Sequence, residues 1–349
     1  MTPRERILNT LNRKPVDRPP VDIWYVGEVL QALYQHTGTE NEQALWRALG
    51  LDKWAWVNPA YTGPLVPKAP EATFVNHWGQ QFKTIQSGPA AYLEQLAAPL
   101  AGYTLETLAD YPYWPDPATF DYAAMGAQTK HLAQEFATLG PWISLYEIYC
   151  GLRGLEQAMM DLVLEPAFVT AVLDRIDAIQ TAMLENIFAH TGGALDAVFI
   201  SDDMGSQQGL LISPTTWEEF FQPRFKRWCD LIHAHGAKVF HHTDGAVRPL
   251  IPRYIEIGVD VLNPIQHICP GMDMAALKRD FGAHLIFHGG VDTQDVLPFR
   301  DPAAVRAETR ACLEALGTGF ICCSCHNIQA GTPVDNILAM IATVHKFRQ

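Results

Sequence analysis

Short apolar runs alternate along the chain with longer stretches whose apolar residues recur at helical spacing. Residues 21–25, 53–57, 142–146, 197–201, 238–242, 261–264, 285–288 and 320–324 read as strands. A further stretch, 74–85, has His77-Trp78-Gly79 in its middle and reads as a side hairpin. In 166–190 the residues Phe168, Val172, Ile176, Met183 and Ile187 fall at helical spacing. Residues 217–235 carry a similar stripe, and 302–316 and 332–347 are the last helices. Strands that alternate with helices favour a parallel sheet with covered faces. Eight of them predict an α/β fold, a (β/α)8 TIM barrel, as one domain over residues 1–349. A doubly wound sheet is the alternative, but no strand leads into a G-x-G-x-x-G or G-x-x-x-x-G-K-[ST] loop. Residues 86–135, rich in Pro, Ala and Tyr, are expected to leave the barrel and cap its mouth.

Composition narrows the function. The chain is 48% hydrophobic and 18% charged, enough for a large core. It has 25 Lys+Arg against 38 Asp+Glu, a net charge of −13, which argues against a general nucleic-acid binder. No apolar run reaches the roughly 18 residues that would suggest a membrane span. The N-terminal residues are charged and amphipathic without an apolar signal core, so a cytoplasmic protein is expected. The seven cysteines are odd in number and unevenly spaced, unlike a disulfide framework.

In a barrel the chemistry gathers at the C-terminal strand ends. Here those ends run into Asp202-Asp203, His241-His242-Thr243-Asp244, Gln266-His267, His288, and Cys322-Cys323-Ser324-Cys325-His326. His242 and Asp244 are two apart and share one face of an extended backbone. They can bind one metal ion, act as an acid/base pair, or tie down a loop. The C-terminal Cys/His cluster can add a third ligand, and three protein ligands with an open position describe a catalytic zinc site. His241 should face the other way and pack. Adjacent Asp202 and Asp203 diverge, so one of them faces the cavity. Gln266 and His288 are cavity groups or satisfied core residues. Trp24, Tyr25, Tyr146 and Tyr149 line an aromatic pocket or belong to the core.

Segments spread over nearly the whole chain are similar to those of one superfamily: TPRERILNTLNRKPVDRPPVD at 2–22, GLEQAMMDLVLEP at 154–166, DDMGSQQGLLISP at 202–214, HTDG at 242–245, GVDVLNPIQ at 258–266, and HNIQ at 326–329 with Thr332-Pro333. In their order and spacing the chain resembles the uroporphyrinogen decarboxylase superfamily, which includes cobalamin-dependent methyltransferases. The resemblance implies the same barrel. The decarboxylating branch typically carries Arg-Gln-Ala-Gly-Arg-Tyr and Phe-Ser-Asp-Ile segments. The corresponding regions here read Ile23-Trp24-Tyr25-Val26-Gly27-Glu28 and Trp54-Ala55-Trp56-Val57-Asn58-Pro59. The arginines and aspartate expected to hold a porphyrinogen are missing from them.

The methyltransferase branch moves a methyl group to or from corrinoid cobalt and uses zinc. Its thiol-activating members have His-x-Cys near His242 and a later cysteine near His326. Asp244 replaces the first cysteine here, and His326 stands for the second, with Cys325 or Cys323 as the alternative ligand. Carboxylate and imidazole make a harder site suited to an oxygen donor. The resemblance therefore implies zinc on His242, Asp244 and His326 or Cys325, with Asp203 and His242 catalytic. Trp24, Tyr25, Tyr149, Gln266 and His288 would bind a methoxylated methyl donor, with an aryl ether among the candidates. No Asp-x-His-x-x-Gly motif occurs, so the corrinoid would sit on a partner protein. A homodimer is left open. The alternatives are a metal-free decarboxylase of a pyrrole or aromatic acid, using Asp203 and His242, and a binding barrel without catalysis.

Overall fold

A computed structural model describes residues 1–88 and 90–348. Seven strands form one curled parallel sheet in chain order: β1 (Trp54–Trp56), β2 (Ala137–Ile143), β3 (Ala197–Ser201), β4 (Lys238–His242), β5 (Val261–Asn263), β6 (Ile286–Val291) and β7 (Phe320–Ser324). The eighth expected strand, 21–25, is not a regular one. It makes isolated parallel bridges from Val21 to Cys322 and from Tyr25 to Ile328. On its other side Asp52 N donates to Val21 O at 2.8 Å. Side chains replace ladder partners there. Val21 N donates to the Asp52 carboxylate, Ile23 N to Asp22, and Lys53 Nζ to Ile23 O. Regular pairing is lost because these backbone groups are already satisfied.

The inner face of the sheet follows the two-residue period of strands. Ala197 and Phe199, Phe240, Val261, Ile286 and Ile321 pack with Trp24 and Trp54 into an apolar layer. One step further along the same faces come Ser201, His242, Asn263, His288 and Cys323, so a polar layer lies directly above the apolar one. Register keeps it level: Ser201 pairs with His242, and His242 with Asn263.

Other boundaries shifted for local reasons. Residues 144–146 are not strand. Asp202 collects the backbone N–H groups of Leu145, Tyr146 and Glu147, which starts the helix Tyr146–Arg153. The helix expected at 217–235 is two, Pro214–Phe220 and Gln222–Ala234. Pro223 has no N–H to continue the first. The 166–190 stripe is buried as expected, on Pro166–Thr191.

The excursion expected at 86–135 divides. Gln81–Ser87 and Ala90–Ala97 form a three-stranded antiparallel sheet with Phe74–Val75, longer than the expected hairpin. It is tied to the helix after β2, where Gln95 Nε2 donates to Gly151 O at 2.5 Å. Tyr122–Leu132 is instead an outer helix leading into β2. It packs so tightly on Pro166–Thr191 that a Cβ at Gly126 would come 2.7 Å from His190 O. Among the described residues no helix is long and apolar enough to cross a membrane.

Candidate functional site

The polar layer holds a directional hydrogen-bond chain. Asp22 is fully buried with Lys53 Nζ at 3.1 Å, and its pKa is lowered by Lys53 and His288 despite burial. It therefore only accepts. Trp24 Nε1 donates to it at 2.9 Å and His288 Nε2 at 3.3 Å. His288 Nδ1 must then accept from Asn263 Nδ2, at 2.7 Å, which turns Asn263 Oδ1 toward His242 Nδ1, at 2.5 Å. These partners assign the proton of His242 to Nδ1 and leave the Nε2 lone pair free.

That nitrogen faces a cavity of about 830 Å³ at the C-terminal strand ends. It lies 3.8 Å from Asp203 Oδ1 and 4.0 Å from Asp244 Oδ1. Asp244 Oδ2 lies 3.8 Å from His326 Nε2. His242, Asp244 and His326 thus offer two imidazole nitrogens and a carboxylate oxygen, all within 4.8 Å of one another. Asp244 Oδ1 is buried with no hydrogen-bond partner. Burial raises the Asp244 pKa, with Asp203 adding to the rise and both imidazoles opposing it. A buried carboxylate oxygen left unsatisfied between two imidazoles is a poor end state for a protein alone and a good one for a cation ligand. The donor set suits zinc, and the side open to the cavity leaves room for a further ligand.

The two aspartates part as expected. Asp202 is buried beneath the start of helix Tyr146–Arg153, where it also accepts from Ser144 Oγ at 2.5 Å. Burial pushes its carboxyl up to about 7 even against these donors. Asp203 opens to the cavity, and its Oδ1 accepts from Asp244 N at 2.8 Å, which fixes the turn after β4. Glu147, which the sequence reading missed, also lines the cavity. Burial, then the neighbouring Asp202 and Asp203, push it up to about 7. Its Oε1 accepts from Ser201 Oγ at 2.6 Å. Its only signal in the sequence was its place just after a strand.

A family model described as uroporphyrinogen decarboxylase (URO-D) matches residues 122–347. The chain belongs to this family. A curated uroporphyrinogen decarboxylase of Anaeromyxobacter dehalogenans (strain 2CP-C) is 24% identical over 209 residues, 60% of this chain and 57% of that relative's length. A solved methyltransferase from Methanosarcina mazei superposes with a TM-score of 0.68 at 18% identity, covering 99% of both chains. That likeness is one of fold.

Within this URO-D fold several expected site residues lie elsewhere. Cys325 is buried and turned from the cluster, its thiol donating to Ile265 O at 3.2 Å, so it is not among the grouped donors. Burial holds the Cys323 and Cys325 thiols well above their usual pKa, which disfavours thiolate. Cys323 groups instead with Asp22 and His288, where Lys53 already neutralises the carboxylate. Tyr149 is fully buried, with its hydroxyl toward Ala158 O, and does not line the cavity. His288 acts behind His242. Gln266 accepts from Gly245 N at 2.5 Å and fixes the loop carrying Asp244. Trp24 and Tyr25 do line the cavity. The Trp24 ring lies tilted against His288, with centroids 5.1 Å apart, and Tyr25 donates to Glu42 at 2.7 Å. His241 faces outward against Phe225 and Tyr254, as its register requires.

Proposed function

We propose that this protein is a zinc-dependent methyltransferase that takes a methyl group from a methoxylated donor and passes it to a corrinoid carried by a separate protein. The observation that carries the reading is the unsatisfied, buried Asp244 Oδ1 beside the free Nε2 of His242, a residue that lines the open cavity. His242, Asp244 and His326 would hold the metal. When bound there, zinc acts as a Lewis acid that draws electron density from an ether oxygen.

The remaining work belongs to side chains. The Nδ1–H bond to Asn263 keeps His242 in the tautomer whose lone pair faces the cavity. Asp203 holds the backbone of Asp244 in place. Transfer would break the methyl C–O bond, the methyl passing to the partner's reduced corrinoid and the electron pair staying on the ether oxygen. Glu147 keeps its proton up to about pH 7 and, with Oε1 occupied by Ser201, can deliver it from Oε2 to that oxygen. The products are an alcohol or phenol and the methylated corrinoid protein.

The relative named a uroporphyrinogen decarboxylase favours a second reading, a carboxy-lyase. Against it, no arginine is among the described residues lining the cavity, and Lys53 is engaged by Asp22. A substrate with many carboxylates would find little counter-charge. The test is incubation of the zinc-loaded protein with reduced corrinoid protein and a series of methoxybenzenes, followed by the absorbance of the corrinoid. Methylation that disappears in His242→Ala supports the proposal. Carbon dioxide release from an aromatic acid by metal-free protein would replace it with the lyase.

A further inference from the structure

A second chamber of about 620 Å³ lies beside the metal-facing cavity. Its walls come from both parts of the fold: Phe74, Trp78 and Phe82 from the antiparallel sheet region, and Ile143, Ile148 and Met183 from around β2 and the long helix. Among the described residues lining it there is no Lys, Arg or Asp, and Glu147 is its one carboxyl. Most of its amide groups are already engaged. Asn76 Oδ1 accepts from Trp78 N and Gln80 N, Gln95 bonds Gly151 O, and Gln180 bonds Ser144 in both directions.

The His77 ring, one oxygen of Glu147 and the amide nitrogens of Asn58 and Gln80 are left for a ligand. The His77 ring packs edge-on to Phe120, with centroids 5.2 Å apart, and has no hydrogen-bond partner among the described residues. Burial lowers its pKa to about 4, so it is neutral. Glu147 has one carboxyl oxygen beyond its bond to Ser201. Trp142 and Glu147 line both this chamber and the larger cavity, so the two spaces share a wall. An anion here would be desolvated without a counter-charge. The volume lies in the range of small-molecule sites and suits one substituted ring.

We propose that this chamber binds the uncharged, ring-bearing donor, an aryl ether without a carboxylate, and places its reacting end at the Glu147 wall. The role of donor rests on the methyltransferase reading; the binding of such a ring does not.

The test is calorimetric titration of the purified protein with methoxybenzene and, separately, with methoxybenzoate. Met183→Trp narrows the chamber from the long-helix side. Phe82→Arg puts a charge on its half-exposed wall and should not prevent folding, which thermal melts verify. Gln128→Ala serves as a control in the larger cavity. The expected result is roughly tenfold or greater loss of methoxybenzene affinity in both chamber variants, with Gln128→Ala unchanged and methoxybenzoate at least about tenfold weaker than methoxybenzene on the unaltered protein. Failure of methoxybenzene to bind, equal binding by folded Phe82→Arg, or equal binding of the anion overturns the proposal. Binding without any methyl transfer would sink the methyltransferase and leave the chamber standing. Transfer with the chamber variants unaffected would do the reverse.

Discussion

Asn263 Oδ1 lies 2.5 Å from His242 Nδ1, and this contact decides which imidazole nitrogen is free for the cavity. The direction is set far away, at Asp22, which can only accept. Asn263→Ala would leave one imidazole without its acceptor and the other without its donor. We expect zinc affinity to fall roughly 10- to 100-fold, the range for lost partners of metal-bound histidines. Competition titration with a chelating dye measures it; unchanged affinity would mean that the chain is only packing.

The metal assignment separates two groups of residues. Elemental analysis should find zinc retained after dialysis by the unaltered protein and by Cys325→Ala. Asp244→Asn and His242→Ala should retain less than about a tenth of it, because a three-ligand site loses a third of its donors. Loss in Cys325→Ala would return the sulfur to the site.

Glu147 ties stability to pH. Folding raises its pKa from 4.5 to about 7, so the folded state holds the proton more tightly than the unfolded one. Stability on this account is highest below pH 4.5 and falls as pH rises through 7. Glu147→Gln removes the titration. Urea denaturation at acid and alkaline pH should show the variant gaining on the parent by up to roughly 3 kcal/mol at the higher pH. Methyl transfer should fall in the same variant, since the amide has no acidic proton to give.

Asp52 is a structural counterpart. Fully buried, it accepts from Arg6, Arg18 and Val21 N, and so joins the helix Pro3–Leu11 to segment 20–26 and to β1. Asp52→Ala leaves Arg18 without a carboxylate and Arg6 with Asp17 alone. A loss of roughly 3–5 kcal/mol is expected from urea denaturation. A loss under about 1 kcal/mol would show that water reaches these arginines.

Strands 197–201, 238–242 and 320–324 and the helix 302–316 were legible because each is bounded by its own turn and capping residues. The pair His242 and Asp244 was legible because the period of a strand is local. Cys325 misled because proximity in sequence to His326 says nothing of which way a turn faces. Tyr149 misled for a like reason: a helix begins at Tyr146 only because Asp202, far along the chain, captures its first N–H groups.

Local pattern by itself therefore determined the alternation of strands and helices, the acidic balance, and the rim on which polar residues gather, since these depend on backbone periodicity and composition alone. Tertiary structure decided the rest. It made 21–25 an irregular segment, ordered His242, Asn263, His288 and Asp22 into one chain, turned the sulfur away, and raised Glu147 into the neutral range. Each of these depends on groups far apart in sequence being brought into a medium without water, where one unpaired donor or charge outweighs any local preference.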